Sequence, residues 1–317
     1  MRPRVVLFLT AAALVLGGVL LVPTASARFG GASGAATDAG AAPTAAPPTA
    51  APLTLAAAPV DVEIDGFLSW ALLDRTTGNI TGSDNVTATN SAESMIKIWF
   101  AADVLRLATE SGTEPEGTLL EAASTAIRDS DDPATNMLYN LAGGPASLRR
   151  MVQMCGLTET RPVTPPDANV VWWSYTEISA RDAVRLGECV ANGTAAGPQW
   201  TRWVLDEMAQ VRGTTAKEDQ LRTRGGGRWG IIDGLPDEIV ETGSVGIKNG
   251  WTLINADGLW HLNCLATADD WVLAVLMRYP GEHGLDYGAH VCRNVTSQLV
   301  VPVPGAALKI PQPLVEG

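Results

Sequence analysis

Four lysines occur in the 317-residue chain, and Lys97 closes the element Ser94-Met95-Ile96-Lys97. Residues three apart share a helical face, so at this spacing the Lys97 amine can reach the Ser94 hydroxyl. A helix N-terminus favours the negative charge that develops on an attacking oxygen. A lysine that is buried, or beside another cation, loses its proton more readily and can act as a base. The apolar Ile98-Trp99-Phe100 after Lys97 points to such burial. Taken alone, the pattern is weak, and a serine capping a helix with a surface lysine one turn on is the commoner explanation.

Two further elements carry compatible chemistry. Ser130-Asp131-Asp132 precedes Pro133. It reads structurally as an N-cap, with Asp132 capping and Pro133 at the first helical position. Functionally, Ser130 is a second hydroxyl able to pass a proton to a departing nitrogen. Lys248-Asn249-Gly250 ends a β-rich run. Asn-Gly is a turn signal, while a lysine and a glycine on a cleft-facing strand could bind a carboxylate and let substrate approach the backbone. Other chemistries find less support. His261, His283 and His290 lack metal-ligand spacing and read as structural or surface residues. No GxSxG occurs, and Gly225-Gly226-Gly227 lacks the Lys-Ser/Thr of a phosphate loop. No cofactor is implied.

The elements that must position these residues follow from periodicity. Phe67 to Asp74 is a short apolar run ending in a turn, and Ile80 to Gly82 begins the return strand. From Ser94 the apolar residues recur at helical steps. Further helices are expected at 116–128, 133–142 and 145–154, from a Ser179 cap, and from Pro198 to Val211. Strands return at Ile239–Lys248, Leu259–Ala268 and Trp271–Tyr279, followed by a helix over Tyr287–Val300. The order strands, helices, strands, helix predicts an α+β fold whose sheet layer is interrupted by an inserted all-helical subdomain. A cleft is expected where the two parts meet.

Ser94-x-x-Lys97, Ser130-Asp131-Asp132 and Lys248-Asn249-Gly250 together resemble, in order and setting, the SxxK, SDN and KTG elements of class A β-lactamases and penicillin-binding serine hydrolases. The similarity extends over roughly residues 62–300. It implies an antiparallel sheet flanked by helices, the β-lactamase/transpeptidase-like arrangement. It also implies an acyl-enzyme mechanism on a β-lactam or a D-alanyl-D-alanine stem peptide. In that scheme Ser94 attacks, Lys97 is base or relay, and Ser130 protonates the leaving nitrogen. Lys248 and Asn249 hold the substrate carboxylate, Asp132, Gly250 and Trp251 complete the binding wall, and the Ser94 and Trp251 N–H groups form the oxyanion hole. Trp172 and Trp173 are further candidates for the cleft.

The chain departs from the family pattern in four places. Asp132 stands for asparagine, and a carboxylate near Lys97 favours the charged ammonium. Asn249 stands for threonine or serine. The stretch from Ser94 to Ser130 is short. The segment Thr158–Ser174 has no ExxLN glutamate; Asp167 is a shorter substitute, and Glu177 is close to the next helix. Without that base, hydrolysis of an acyl-enzyme is expected to be slow, as in a peptidase. The rival reading is a catalytically inactive binding protein of the cell envelope that keeps the fold; an esterase using the same serine is a third.

Bulk properties narrow the setting. A net charge of −12 leaves no basic excess for nucleic acid. Arg2 and Arg4, the apolar Val5–Val22 and the small residues Ala25-Ser26-Ala27 form a signal-peptide pattern for an exported protein, with cleavage near Ala27. The alternative is an uncleaved anchor. The expected organisation is a signal peptide at 1–27, an Ala/Pro/Thr-rich tether at 28–60 and a domain at 61–303, with a tail at 304–317. Within that domain, residues 61–93 and 239–303 form the α/β part and 94–238 the helical part. A monomer is expected. Cys155, Cys189, Cys264 and Cys292 allow three disulfide pairings. Sequential pairing, 155–189 and 264–292, keeps each bridge within one subdomain; buried free thiols are the alternative.

Overall fold

The computed structural model describes residues 49–165, 168–222, 226–242 and 244–303. The segments expected as signal peptide and tail, the first part of the tether, and Asp167 lie outside them.

The sheet is built on two long strands. Leu259–Thr267 (β8) and Trp271–Pro280 (β9) pair antiparallel along their whole length, and β9 pairs in turn with Phe67–Asp74 (β2). Ile80–Gly82 (β3) extends the β2 edge. Gly246–Ile247 (β6) and Gly250–Ile254 (β7) both pair with β8 on the other side. Strands β8 and β9 are almost continuously buried, which explains why they read as apolar runs without alternation: helices cover both faces. Ala180–Ala191 (α5) sets Gly187 against Leu265 and Val272, where an added Cβ would lie 2.6 Å from the Val272 side chain. Gly284–Leu299 (α9) sets Gly288 against Leu262 and Tyr279. Leu265 and Leu262 differ in parity along one strand, so the two helices lie on opposite faces.

The helical part is organised around Lys97–Glu110 (α1), buried on every side over its first ten residues, 97–106. Such a helix needs neighbours all round. Gly117–Arg128 (α2), Asp132–Leu141 (α3), Pro145–Met154 (α4) and Gly197–Ala209 (α6) supply them, with α5 shared between this part and the sheet. The fold is thus α+β, with an antiparallel sheet and an inserted helical block, as expected. Cys155–Cys189 ties the end of α4 to α5, and Cys264–Cys292 ties β8 to α9; the sequential pairing holds.

Three local expectations are corrected. Residues 239–248 do not form one strand: Asp237–Val240 (α8) is a helical turn, and β6 has only two residues. Leu53–Leu55 (β1), inside the stretch read as tether, is a strand. It pairs with Val300–Pro302 (β10), which takes Val300 from the end of the expected helix. Helix α3 is capped by Asp131, whose carboxylate accepts from the Ala134 N–H at 2.7 Å. Asp132 is therefore the first helical residue, and its side chain is released for another partner. The remaining elements are Thr89–Ser91 (β4), which pairs with Glu177–Ser179 (β5), and the short Lys217–Arg222 (α7). Among the described residues no helix is long and apolar enough to cross a membrane.

Candidate active site

Strand β4 delivers the chain into a 3-10 turn, Glu93–Ile96, that runs directly into α1. Ser94 lies on that turn and Lys97 opens the α-helix, so SxxK spans the junction rather than beginning a regular helix. Ser130 closes the α2–α3 connection with φ of 55°, a left-handed conformation uncommon for serine. Such strain persists only where surroundings over-determine it. Lys248 and Asn249 link β6 to β7, and Trp251 lies on β7. These elements enclose a cavity of about 670 Å³, with Ser94, Ser130, Asp132, Trp172, Trp173 and Trp251 on its wall.

Gly250 explains how β7 comes so close. A Cβ there would lie 2.5 Å from the Met95 nitrogen, 2.7 Å from the Ser94 nitrogen and 2.9 Å from the Ala92 oxygen, all backbone atoms. Only a residue without a side chain lets the strand lie against the Ser94 turn.

The electrostatic centre is Ser130. Its hydroxyl lies 2.9 Å from Lys248 Nζ and 3.3 Å from Lys97 Nζ. Two Nζ donors leave the Ser130 proton free to be given elsewhere. Lys97 Nζ also donates to the Ser130 carbonyl and, at 2.6 Å, to Asp132 Oδ1. It lies 5.2 Å from the centre of the Trp173 ring. Burial pushes the Lys97 pKa down, opposed by the Asp132 carboxylate, and the net shift is downward. Lys248 lies well below its ordinary value, mainly through burial and secondly through the Lys97 charge. Two buried amines around one hydroxyl cannot both stay charged at ordinary cost, so one is poised to accept a proton.

The structure brings Ser94, Lys97, Ser130, Asp132, Lys248, Gly250 and Trp251 to one place. Two details differ from expectation. Lys97 is directed to Ser130 and Asp132, and no hydrogen bond joins it to Ser94 among the described contacts. Asn249 faces away from the cavity: its amide donates to the Gly227 and Trp229 carbonyls, both at 2.8 Å. With both amide protons used and the residue 1% exposed, it braces the 227–229 loop instead of holding substrate. Trp172 and Trp173 do reach the wall.

Two glutamates flank the segment where a hydrolytic base was sought, and both are engaged elsewhere. Burial pushes the Glu159 pKa up, but hydrogen bonds from Arg181, Thr158 and Ser179 outweigh it and hold the value at about 2. Glu177 is ion-paired with Arg161 at 2.7 Å and accepts from Thr89. Neither lines the cavity. No group of three or more His, Cys, Asp or Glu residues able to hold a metal occurs among the described residues.

Sequence reasoning missed Glu93. Its carboxyl is buried on the cavity wall and is hydrogen-bonded with Ser91 Oγ at 2.7 Å and with Thr252 Oγ1 at 2.8 Å. An acid ahead of a helix reads as ordinary dipole compensation. Nothing local connects it to a threonine on β7.

Comparison with known proteins bears on the fold. Residues 110–215 match the family model described as the Beta-lactamase enzyme family. No curated protein matches the sequence. Among solved structures, the chain is similar to PBP-A, at 18% identity over 75% of this chain and 90% of that one, with a TM-score of 0.54. A point mutant of PBP-A, solved as an acyl-enzyme complex with penicillin G, is similar at 18% identity, covering 73% and 88%, with a TM-score of 0.53. A β-lactamase from Burkholderia vietnamiensis gives 18%, 74% and 89%, and 0.54. The chain has the fold these proteins share, and the resemblance first read from three short motifs extends to the tertiary structure.

Proposed function

We propose that this chain is an exported serine acyl-transfer enzyme in which Ser94 forms an acyl-enzyme with β-lactams or with D-alanyl-D-alanine stem peptides. The observation that carries the reading is the Ser130 hydroxyl, held by Lys97 and Lys248 on the wall of a cavity that also exposes Ser94. A fold alone does not call for two buried lysines around one hydroxyl, since burying them is costly.

In this reading Ser94 Oγ forms a bond to the substrate carbonyl carbon, and the C–N bond breaks. The Ser94 proton enters the lysine–Ser130 cluster, and Ser130 gives a proton to the leaving nitrogen, so no net proton is lost. The Ser94 and Trp251 N–H groups meet the developing oxyanion; one such donor is commonly worth about 3 kcal/mol. Lys248 supplies positive charge toward a substrate carboxylate from behind Ser130. Among the described residues, Glu159 and Glu177 are engaged elsewhere and offer water no base from that side, and the acyl-enzyme is long-lived, as expected of a peptidase rather than an efficient lactamase.

One observation favours the rival reading, a silent binding protein: Lys97 is paired with Asp132 rather than with Ser94. Intact-mass spectrometry of the mature protein with a penicillin, beside Ser94→Ala, separates the two. A covalent adduct on the wild type that is absent from the variant supports the enzyme. No adduct from several β-lactams on folded protein favours the binding protein.

A further inference from the structure

The cavity wall holds a carboxyl that the acyl-transfer scheme does not use. Glu93 precedes the nucleophile, has φ of 49°, and is 4% exposed. It belongs to a chain of polar groups that leads out of the cavity. Glu93 Oε2 meets Thr252 Oγ1 at 2.8 Å, and Oε1 meets Ser91 Oγ at 2.7 Å. Ser91 Oγ meets His261 Nδ1 at 2.9 Å, and His261 Nε2 meets Asp257 Oδ2 at 2.9 Å in the β7–β8 turn. Asp257 is 40% exposed at its side chain, so the chain runs from the cavity to solvent.

Counting protons decides its charge state. Four contacts need four protons, one in each. The Thr252 and Ser91 hydroxyls bring one apiece, and a neutral imidazole brings one. With Glu93 and Asp257 both ionised, that makes only three. The Thr252 hydroxyl also lies 2.7 Å from the Trp251 carbonyl, a competing acceptor that raises the demand. A proton on Asp257 is disfavoured: burial pushes that carboxyl up, but hydrogen bonds from the Leu259 N–H and His261 outweigh it and lower its pKa. The fourth proton therefore sits on Glu93, as a neutral acid, or on His261, as an imidazolium.

The surroundings choose between these. Burial pushes the Glu93 pKa up; the Ser91 and Thr252 hydroxyls oppose it, Asp132 on α3 adds to it, and Lys97 on α1 acts against it. Burial pushes His261 down, opposed by Asp257 and aided by Arg278 on β9. The turn Trp173–Tyr175, packed on the Glu93 turn, carries Tyr175 as its one titratable residue. Both net shifts favour the uncharged pair, with the proton on Glu93.

We propose that Glu93 is a neutral acid that positions the oxyanion site and is linked through Ser91 and His261 to Asp257 at the surface. The residue before Ser94 thereby grips the residue after Trp251, holding the two proposed oxyanion donors in register. Ionisation would place a negative charge beside the oxygen that must itself become negative. The positioning role rests on the acyl-transfer reading above; the proton assignment does not.

The test combines infrared difference spectroscopy with acylation kinetics on the mature protein. A protonated-carboxyl C=O band is expected at neutral pH, shifted in D2O, absent from Glu93→Gln and lost on alkaline titration. Acylation by a fluorescent penicillin is expected to fall with that band in the wild type by tenfold or more. Glu93→Gln, whose amide can donate to Ser91 and accept from Thr252, is expected to keep acylating beyond that pH. Absence of the band from folded wild-type protein overturns the proton assignment. A band with identical pH profiles for wild type and Glu93→Gln overturns the positioning role. A band without acylation at any pH overturns the acyl-transfer reading, and the positioning role with it, while the proton assignment stands. If Glu93→Gln does not fold, the nitrogen NMR shifts of wild-type His261 decide: a neutral ring protonated at Nε2 is expected, and an imidazolium at neutral pH overturns the assignment.

Discussion

Replacing Gly250 by alanine tests the geometry on which the site depends. The added Cβ would lie 2.5 Å from the Met95 nitrogen, and the nearest atoms are all backbone, so no side chain can swing aside. Restoring an ordinary contact of 3.4 Å requires β7 and the Ser94 turn to separate by about 0.9 Å. A misplacement near 1 Å costs about 100-fold in rate where reacting groups must be held in line, equivalent to about 2.7 kcal/mol of activation free energy. The strain also destabilises the fold, by about 1–3 kcal/mol as for other overpacked sites. Acylation by a fluorescent penicillin and thermal unfolding give the two readings. Gly117→Ala is the control: it opens α2 with no atom within 4 Å of an added Cβ, and both quantities should stay near wild type. Gly250→Ala protein that is acylated at the wild-type rate with an unchanged midpoint would refute the claim that β7 must touch the Ser94 turn.

The charges around Ser130 supply two more expectations. Asp132→Asn removes the carboxylate that opposes deprotonation of Lys97, so a larger fraction of Lys97 is neutral at a given pH. The acid limb of the acylation profile should move to lower pH, and an unmoved limb would mean that Lys97 is not the base. For Lys248, the folded state disfavours the charged amine that the unfolded chain carries up to about pH 10.5. Stability should therefore rise with pH from the folded pKa toward that value. Lys248→Met should remove this slope while abolishing adduct formation; urea unfolding at several pH values reads the first, and mass spectrometry the second.

The sequence by itself determined the architecture and most of the site's membership. Helical periodicity after residue 94, the apolar runs of β8 and β9 and the capping signal at residue 179 are local patterns, and local patterns report which face of an element is buried. The order of the three motifs then brought Ser94, Lys97, Ser130 and Lys248 together. Tertiary structure alone decided what each polar group holds. Lys97 and Lys248 both turn to Ser130, from 33 and 118 residues away. Asn249 turns to a loop 20 and 22 residues earlier, and Glu93 finds Thr252 across 159 residues. Spacing along a chain fixes neighbours within one turn or strand. A hydrogen bond depends on which groups packing leaves within about 3 Å, and that is settled only when the sheet and the helical block close on each other. The same closure buries Glu93 and both lysines, and burial sets their charge.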